Sequence, residues 1–228
     1  FGIDLLEPVD KYVPGLTADS VLDRDGAAHP NPLFAPRGGK PARDKSLVYL
    51  AGIVGVPWQD IATPASLSGP GLRYLDAQQL VAQGRWDVIL GDPATRKPPT
   101  DPHMIESVAP RSGSHPVLAN AAIQPPGTAL PTADPISGHE QSPARQDDLQ
   151  YACIFELPTP RECVDRTTSP GRTELDCGDC SDEGIAAGRP LCNPPGGGAL
   201  GSRQYFAKAY PGIRQLEVLK GVGERGIV

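Results

Sequence analysis

The sequence predicts an α/β fold that carries a long, loop-rich insertion. Residues 46–55 form a continuous apolar run with β-branched and aromatic members, as in a buried strand. Residues 213–220 place apolar side chains at helical spacing. Most of the 27 prolines lie between these two segments, and with 26 glycines they fill nearly a quarter of the 228 positions, against about 12 % in average proteins. This uneven distribution indicates a small regular frame and a separate region of loops.

The frame begins after residues 1–45, which predict an extended lead-in because prolines interrupt them repeatedly. The apolar run that follows does not alternate with polar residues. We therefore expect both faces of this strand to be buried, as in the central parallel strand of a sheet. Gly52 and Gly55 lie inside the run and indicate a bend or the close approach of another backbone segment.

Four further elements complete the frame. Residues 72–84 predict a short helix, because their leucines share one face and Gly84 suits the position after a helix end. Residues 86–90 predict either a second strand or a continuation beneath that helix. An amphipathic helix at residues 213–220 then leads through a charged turn into a strand that begins at Gly226. We assign residues 46–91 and 205–228 to the α/β core and residues 92–204 to the insertion.

The two chain ends carry expectations of their own. Phe1 is preceded by no Met and no signal segment, which indicates a processed chain or a fragment of a longer one. No turn or polar stop follows the strand at Gly226, so we expect the natural polypeptide to continue past Val228.

Charge and hydropathy argue against a nucleic-acid partner and against a membrane-spanning segment. The chain has 21 Lys and Arg against 27 Asp and Glu, a formal net charge of −6, and its basic residues are scattered. This pattern argues against nucleic-acid binding. No apolar stretch approaches the roughly 18 residues that a membrane-spanning helix needs, so we predict no transmembrane segment.

All five cysteines lie within residues 153–192, a Pro- and Gly-rich stretch. They are Cys153, Cys163, Cys177, Cys180 and Cys192. Such crowding predicts disulfide bonds and an oxidising compartment, that is, a secreted, periplasmic or cell-surface protein. The odd number leaves one thiol over and 15 possible pairings. A sixth cysteine beyond Val228 or a partner chain would complete the set.

The order of strand, crossover, helix, charged turn and strand resembles the closing half of a Rossmann-like domain. Residues 47–55 are similar to the late buried strand of von Willebrand factor A domains, which commonly ends in Ile or Val followed by Gly. Residues 213–220 and 224–228 resemble the helix and strand that follow it. The resemblance covers about 30 residues, and it extends to exported bacterial proteins that carry such a domain with a proline-rich, cysteine-bearing insertion.

The resemblance implies a partial von Willebrand A-like sheet but no metal ligand. The metal-dependent adhesion site of that family begins with Asp-x-Ser-x-Ser, and this string does not occur in the chain. Either that loop lies before Phe1 or the chain has no such site.

A calcium site is one candidate within the cysteine segment. The string from Asp176 to Glu183 resembles the calcium box of low-density-lipoprotein-receptor class A modules, although the cysteine spacing of those modules is absent. Ca²⁺ takes six to eight oxygen ligands. Its candidate ligands here are Asp176, Asp179, Asp182 and Glu183; a solvated acidic disulfide loop is the alternative. The C-x-x-C at Cys177 and Cys180 is disfavoured as a redox or zinc motif by its acidic surroundings and single cysteine pair.

A second candidate site lies in the insertion, where histidines and carboxylates recur between residues 101 and 140. Imidazole and carboxylate together suit a transition metal or a hydrolytic site. The candidate metal ligands are His103, Glu106, His115 and His139, and Asp101 and Glu140 lie beside them. Proline-rich loops also carry His and Asp as turn residues, and the spacing matches no helix-based metal motif.

The leading interpretation is an exported binding or structural protein that presents its disulfide-stapled insertion to a protein partner. No nucleophile elbow, P-loop or dinucleotide fingerprint occurs in the chain, which favours a protein that is not an enzyme. A metal-dependent enzyme that uses the loop at residues 101–140 is one alternative. A subunit of a larger cell-surface assembly is the other.

Overall fold

The computed structural model describes residues 9–67, 71–92, 94–109, 111–118, 148–186 and 190–228. Its α-helices are α1 (Tyr12–Thr17), α2 (Trp58–Ile61), α3 (Ala77–Ala82), α4 (Arg85–Ile89), α5 (Asp182–Ala186) and α6 (Ile213–Gly221). Its strands are β1 (Ser20–Leu22), β2 (Ala28–Pro30), β3 (Leu50–Ala51), β4 (Cys153–Glu162), β5 (Asp165–Ser169), β6 (Arg172–Leu175), β7 (Arg203–Ala209) and β8 (Gly226–Ile227). The fold therefore mixes helix and strand, as the sequence predicts.

The chain divides into two compact units. Unit 1 comprises Phe1–Val54, Leu75–Trp86 and Ile213–Val228, and unit 2 comprises Gly55–Tyr74 and Asp87–Gly212. The predicted core, residues 46–91 and 205–228, is divided between the two units: residues 55–74 and 87–91 lie in unit 2, and so does β7, which pairs with β4.

Unit 1 contains the predicted parallel strand pair. Strand β3 pairs in parallel with β8, with Leu50 opposite Gly226 and Ala51 opposite Ile227. The Gly52 amide extends the ladder by donating to the Ile227 carbonyl at 2.8 Å. Helix α6 connects back to β8, and its Leu219 side chain would lie 2.6 Å from a Cβ at Gly52. Glycine at position 52 thus permits the helix to sit close to the strand.

The prediction that this strand is long and buried on both faces is wrong. The strand proper has two residues, because a 3-10 turn at Lys45–Leu47 occupies its expected start. Leu47 is 70 % and Tyr49 is 63 % exposed. Among the described strands β3 pairs with β8 alone, and a two-stranded pair cannot cover both of its own faces.

The predicted extended lead-in contains regular structure in its described part, residues 9–45. Helix α1 is followed by the antiparallel hairpin β1–β2, with Ser20 opposite Pro30. The Asn31 side chain joins the two parts by donating to the carbonyls of Gly15 and Ala18, both at 2.9 Å. Helix α1 tolerates Pro14 because this residue lies in the first turn. An amide hydrogen in the first turn has no acceptor within the helix, so its absence in proline costs no hydrogen bond.

The helical predictions are largely confirmed. Helix α3 starts later than residue 72, because Asp76 caps it: the Gln79 amide donates to the Asp76 carboxylate, and the Gln79 side chain accepts from the Asp76 amide. Residues 85–89 form helix α4, so the strand alternative at residues 86–90 is excluded. Helix α6 matches the predicted amphipathic segment and buries Leu216 and Leu219.

Unit 2 is built on the antiparallel pair β4–β7, in which Cys153 lies opposite Ala209 and the register shifts between Glu156 and Arg161. Strands β5 and β6 form a separate hairpin. A core cluster against the sheet combines the aromatic residues Tyr151 and Phe206 with aliphatic side chains and four cysteines. Within the described segments we find no helix with the length and apolar character to cross a membrane.

Another backbone segment passes close to Gly55 at the start of unit 2, as the sequence predicts. Its carbonyl accepts from the Gly212 amide at 2.8 Å, and it forms a bridge with Pro211. A Cβ at position 55 would overlap the carbonyl oxygen of Tyr210. Because the neighbour is backbone, no rotamer change can relieve the overlap.

We therefore expect Gly55→Ala to lower the free energy of unfolding by about 2 kcal/mol or more, the cost of strain in a packed backbone contact. Gly178→Ala is the matched control, since a Cβ there meets no atom within 4 Å. Chemical denaturation of both variants measures the difference. Equal stabilities of the two variants would show that the contact at Gly55 does not constrain the fold.

Candidate functional site

Three side chains capable of metal ligation converge in the interior of unit 2. Asp101, His103 and His115 each offer one ligand atom, and these atoms lie within 4.8 Å of one another. All three side chains are at most 4 % exposed. The group forms from two separate segments, the 3-10 turn Pro102–Met104 with its cap and the stretch at residues 111–118.

Asp101 organises the first of these segments. Its Oδ1 accepts from the backbone amide of His103 at 2.8 Å and lies 2.7 Å from the His103 Nδ1. The Asp101 amide donates to the Val88 carbonyl at 3.1 Å. Proline at position 102 suits the first position of the turn, which Asp101 caps. The same residue therefore terminates the loop, starts the turn and orients the first imidazole.

His115 approaches the other oxygen of the same carboxylate. Its Nε2 lies 3.5 Å from Asp101 Oδ2, and the Val117 amide nitrogen lies 3.3 Å from its Nδ1. The imidazole rings of His103 and His115 are 5.7 Å apart between centroids. One carboxylate is thus flanked by two imidazoles.

A second buried carboxyl group joins the cluster. Asp60 in α2 is fully buried and lies beside Asp101. Burial disfavours the ionised form of Asp101, but the hydrogen bond from His103, the charges of both histidines and the contact with Asp60 outweigh it and lower the Asp101 pKa to about 2.

Arg111 secures the segment that carries His115. Its guanidinium donates to the carbonyls of His103, Gln150 and Tyr151, with distances of 2.8 Å to His103 and 3.1 Å to Gln150. Gln150 in turn donates its side-chain amide to the Val108 carbonyl at 3.0 Å. These bonds hold both histidine segments against the start of β4.

Two of the four histidine-loop ligands predicted from the sequence meet in the structure. His103 and His115 are brought together, whereas Glu106 is exposed and stays apart, and His139 lies outside the described residues. Asp60 was not anticipated. The one available signal is its place in the string Trp58-Gln-Asp-Ile61, where a buried apolar turn contains a carboxyl group.

The predicted disulfide bonding is confirmed for four cysteines. Cys163 bonds to Cys177 and Cys180 bonds to Cys192, across sequence separations of 14 and 12 residues. The fifth cysteine, Cys153, lies in β4 outside these two bridges. The two sulfurs of the C-x-x-C string thus have different partners, so in this state the pair is structural.

The four acidic residues predicted as calcium ligands have different surroundings in the structure. Asp176 accepts from the Val164 amide at 3.0 Å and forms ion pairs with Arg161 and Arg166. Asp179 lies 3.2 Å from the Lys208 ammonium. Asp182 and Glu183 are exposed in the first turn of α5. Protein cations therefore meet two of the four predicted calcium ligands, and calcium binding here stays a prediction.

Lys208 on β7 connects the disulfide segment to the sheet. Its ammonium lies 2.8 Å from Asp148, and 4.8 and 5.3 Å from the ring centroids of Tyr151 and Tyr210. Burial opposes the charged ammonium, but the bonds to Asp148 and Tyr210 and the charge of Asp179 raise the Lys208 pKa. These contacts of Lys208 with Asp148, Asp179 and the two tyrosines, here called the Lys208 clasp, join β7 to the turn Gly178–Cys180.

Comparisons with known protein families, with curated proteins and with solved structures found no match for this chain. The function is therefore argued from the geometry of the described residues.

Asp148 gives the clasp a defined acid sensitivity. Burial raises its pKa, but the hydrogen bonds from Lys208 and Tyr210 outweigh burial and hold the pKa below its ordinary value of 3.8. A group with a lowered folded-state pKa stabilises the fold above its unfolded-state pKa, and this stabilisation is lost as the pH falls through the folded-state pKa. We expect Asp148→Asn to cost about 1 kcal/mol at pH 7, because the pair is partly exposed.

That difference between Asp148→Asn and the unsubstituted chain should shrink as the pH falls below about 3.8. Denaturation at pH 7 and at several acidic pH values measures it. Asp165→Asn, at an exposed position of β5, is the control and should show no such dependence. A stability difference that persists unchanged at low pH would contradict the ionised pairing.

Proposed function

We propose that this chain is an exported binding protein, without enzymatic activity, that presents the hairpin β5–β6 to a protein partner. The observation that carries the proposal is a combination of exposure and covalent fixation. Every side chain described at residues 164–174 is exposed. Yet the disulfide from Cys163 to Cys177 closes the base of the same hairpin.

Fixation of an exposed hairpin calls for an explanation beyond packing. A two-stranded hairpin is marginally stable in water, because it buries little apolar surface. A disulfide that closes a loop of about 15 residues contributes roughly 3 kcal/mol. Asp176 adds ion pairs to Arg161 and Arg166 at the hairpin base. A surface ordered in advance loses less conformational entropy when a partner binds, so the cross-link favours recognition.

The surface of the hairpin indicates a polypeptide partner. Among the described strands β5 and β6 pair with each other alone, so each presents an outer edge of backbone donors and acceptors. Threonines and charges of both signs lie along it, with Arg172 and Glu174 paired at 2.6 Å. Addition of an extended partner segment to such an edge is a common mode of peptide recognition.

Export to an oxidising compartment and a von Willebrand A-like unit 1 belong to the same proposal. Disulfide bonding supports export to an oxidising compartment. The parallel pair β3–β8 around α6 supports a von Willebrand A-like assignment for unit 1. The cluster at Asp101 supplies the residue types that the enzyme alternative needs, but its side chains are at most 4 % exposed. Such burial favours a structural role over contact with a substrate.

A photocrosslinking amino acid at position 167 tests the proposal. Thr167 is exposed on β5, opposite Thr173. We expect the labelled protein, irradiated with intact cells and medium of the organism that makes it, to give a discrete crosslinked species. Reduction of the disulfides before irradiation should abolish that species.

The hairpin β1–β2 in unit 1 supplies the matched control, with the same crosslinker at the exposed Ala28. A species that forms equally from both positions, or none from position 167, would refute hairpin recognition. A crosslink to a second copy of this chain would replace an external partner with self-assembly and would overturn the proposal in its present form.

A further inference from the structure

We propose that Asp60, Asp101, His103 and His115 form a buried structural site for a divalent transition-metal ion, with Zn²⁺ as the best match. The site lies in unit 2 and is built from α2, the turn Pro102–Met104 with its cap, and the segment at residues 111–118. The inference is independent of hairpin recognition, and either can fail without the other.

Charge balance favours a cation at this cluster. Asp60 and Asp101 are both fully buried and lie beside each other. Two ionised carboxylates in a dry interior repel each other and require positive charge. One divalent cation supplies that charge and makes a set of two carboxylates and two neutral imidazoles electrically neutral.

Spacing is the second argument. The His115 Nε2 and the Asp101 Oδ2 are 3.5 Å apart. A strong N–H···O bond would be about 2.9 Å. Two ligand atoms bound at about 2.1 Å to one tetrahedral ion lie about 3.4 Å apart. The separation therefore fits two ligands of one ion better than a direct hydrogen bond, and the third ligand atom lies within 4.8 Å of both.

The donor set selects the class of metal. Two imidazole nitrogens and two carboxylate oxygens suit Zn²⁺ and its first-row neighbours, whereas Ca²⁺ and Mg²⁺ prefer oxygen ligands alone. The two oxygens of Asp101 meet different imidazoles: Oδ1 lies 2.7 Å from the His103 Nδ1, and Oδ2 lies 3.5 Å from the His115 Nε2. Arg111 holds the backbone of the same turn through the His103 carbonyl at 2.8 Å.

The geometry assigns the ion a structural role. Asp101, His103 and His115 offer ligand atoms within 4.8 Å of one another, Asp60 lies beside Asp101, and burial keeps water away from all four side chains. The three segments are separated by about 40 and by about 10 residues of chain, so one ion would close two loops at once. Metal binding would therefore appear as added stability of unit 2.

Metal titration of the full-length, disulfide-bonded chain tests the site. The protein is stripped with a chelator and then titrated with Zn²⁺ against a chromophoric competitor. We expect one Zn²⁺ per chain and, at a hundredfold excess over the dissociation constant, a rise in Tm of about 5–10 °C. Ca²⁺ at the same concentration should leave the Tm unchanged.

Two variants and one matched control locate the ion. Asp101→Asn and His115→Gln should each weaken Zn²⁺ binding at least tenfold. His29→Gln should leave it unchanged, because His29 forms a comparable pair with Asp23 at 2.7 Å but on the surface of unit 1. If His29→Gln lowers affinity as much as His115→Gln, the buried site is wrong.

Co²⁺ substitution in the unsubstituted chain tests the ligands without any risk to folding. Intense visible bands of tetrahedral Co²⁺, without a thiolate charge-transfer band, would support the four N and O ligands. A thiolate band would move the metal to cysteine and overturn the proposal, as would the lack of saturable Zn²⁺ or Co²⁺ binding at micromolar concentrations.

Discussion

The interior of unit 2 depends on compensation of the buried Asp101 carboxylate. This group is fully excluded from solvent and contacts the His103 amide and imidazole, His115 and Asp60. An ionised carboxylate in such a place is tolerated only if every lone pair finds a donor or a cation. The segments around it are loops and single turns, so their positions follow from this requirement more than from regular structure.

Cross-links of several kinds substitute for a large apolar core. Only 5 % of the residues are aromatic, and a single methionine, Met104, lies in the turn beside His103. In unit 2 two disulfides, the Lys208 clasp and the Asp101 cluster each join separate segments of the chain. Disulfides and metal ions are the usual means by which a chain with a small core gains stability. The disulfides and the proposed metal site thus answer one physical need.

Local signals in the sequence predict helices α3 and α6 and the close approach at Gly55. The glycine after α3, Gly84, the spacing in α6 and the glycine at position 55 each act within a short range, and each is found in the structure. Burial of the apolar run at residues 47–55 depends on neighbours that periodicity cannot supply. For that reason the exposure of Leu47 was not anticipated.

The candidate site also shows that short-range sequence patterns do not predict contacts between distant segments. Residue types placed His103 and His115 together as candidates, and the structure brings them to one carboxylate. Glu106 has the right chemistry but faces solvent, since the turn Pro102–Met104 ends before it. Asp60 lies about 40 positions away in a short helix and enters only through the tertiary fold. No spacing rule connects it to the histidines.

Anomalous diffraction at the zinc absorption edge, from crystals of the disulfide-bonded chain grown with Zn²⁺, shows directly whether the Asp101 cluster holds a metal ion. We expect one strong anomalous peak per chain, bounded by Asp60, Asp101, His103 and His115. A fully ordered cluster with no peak, or a peak elsewhere on the chain alone, would contradict it.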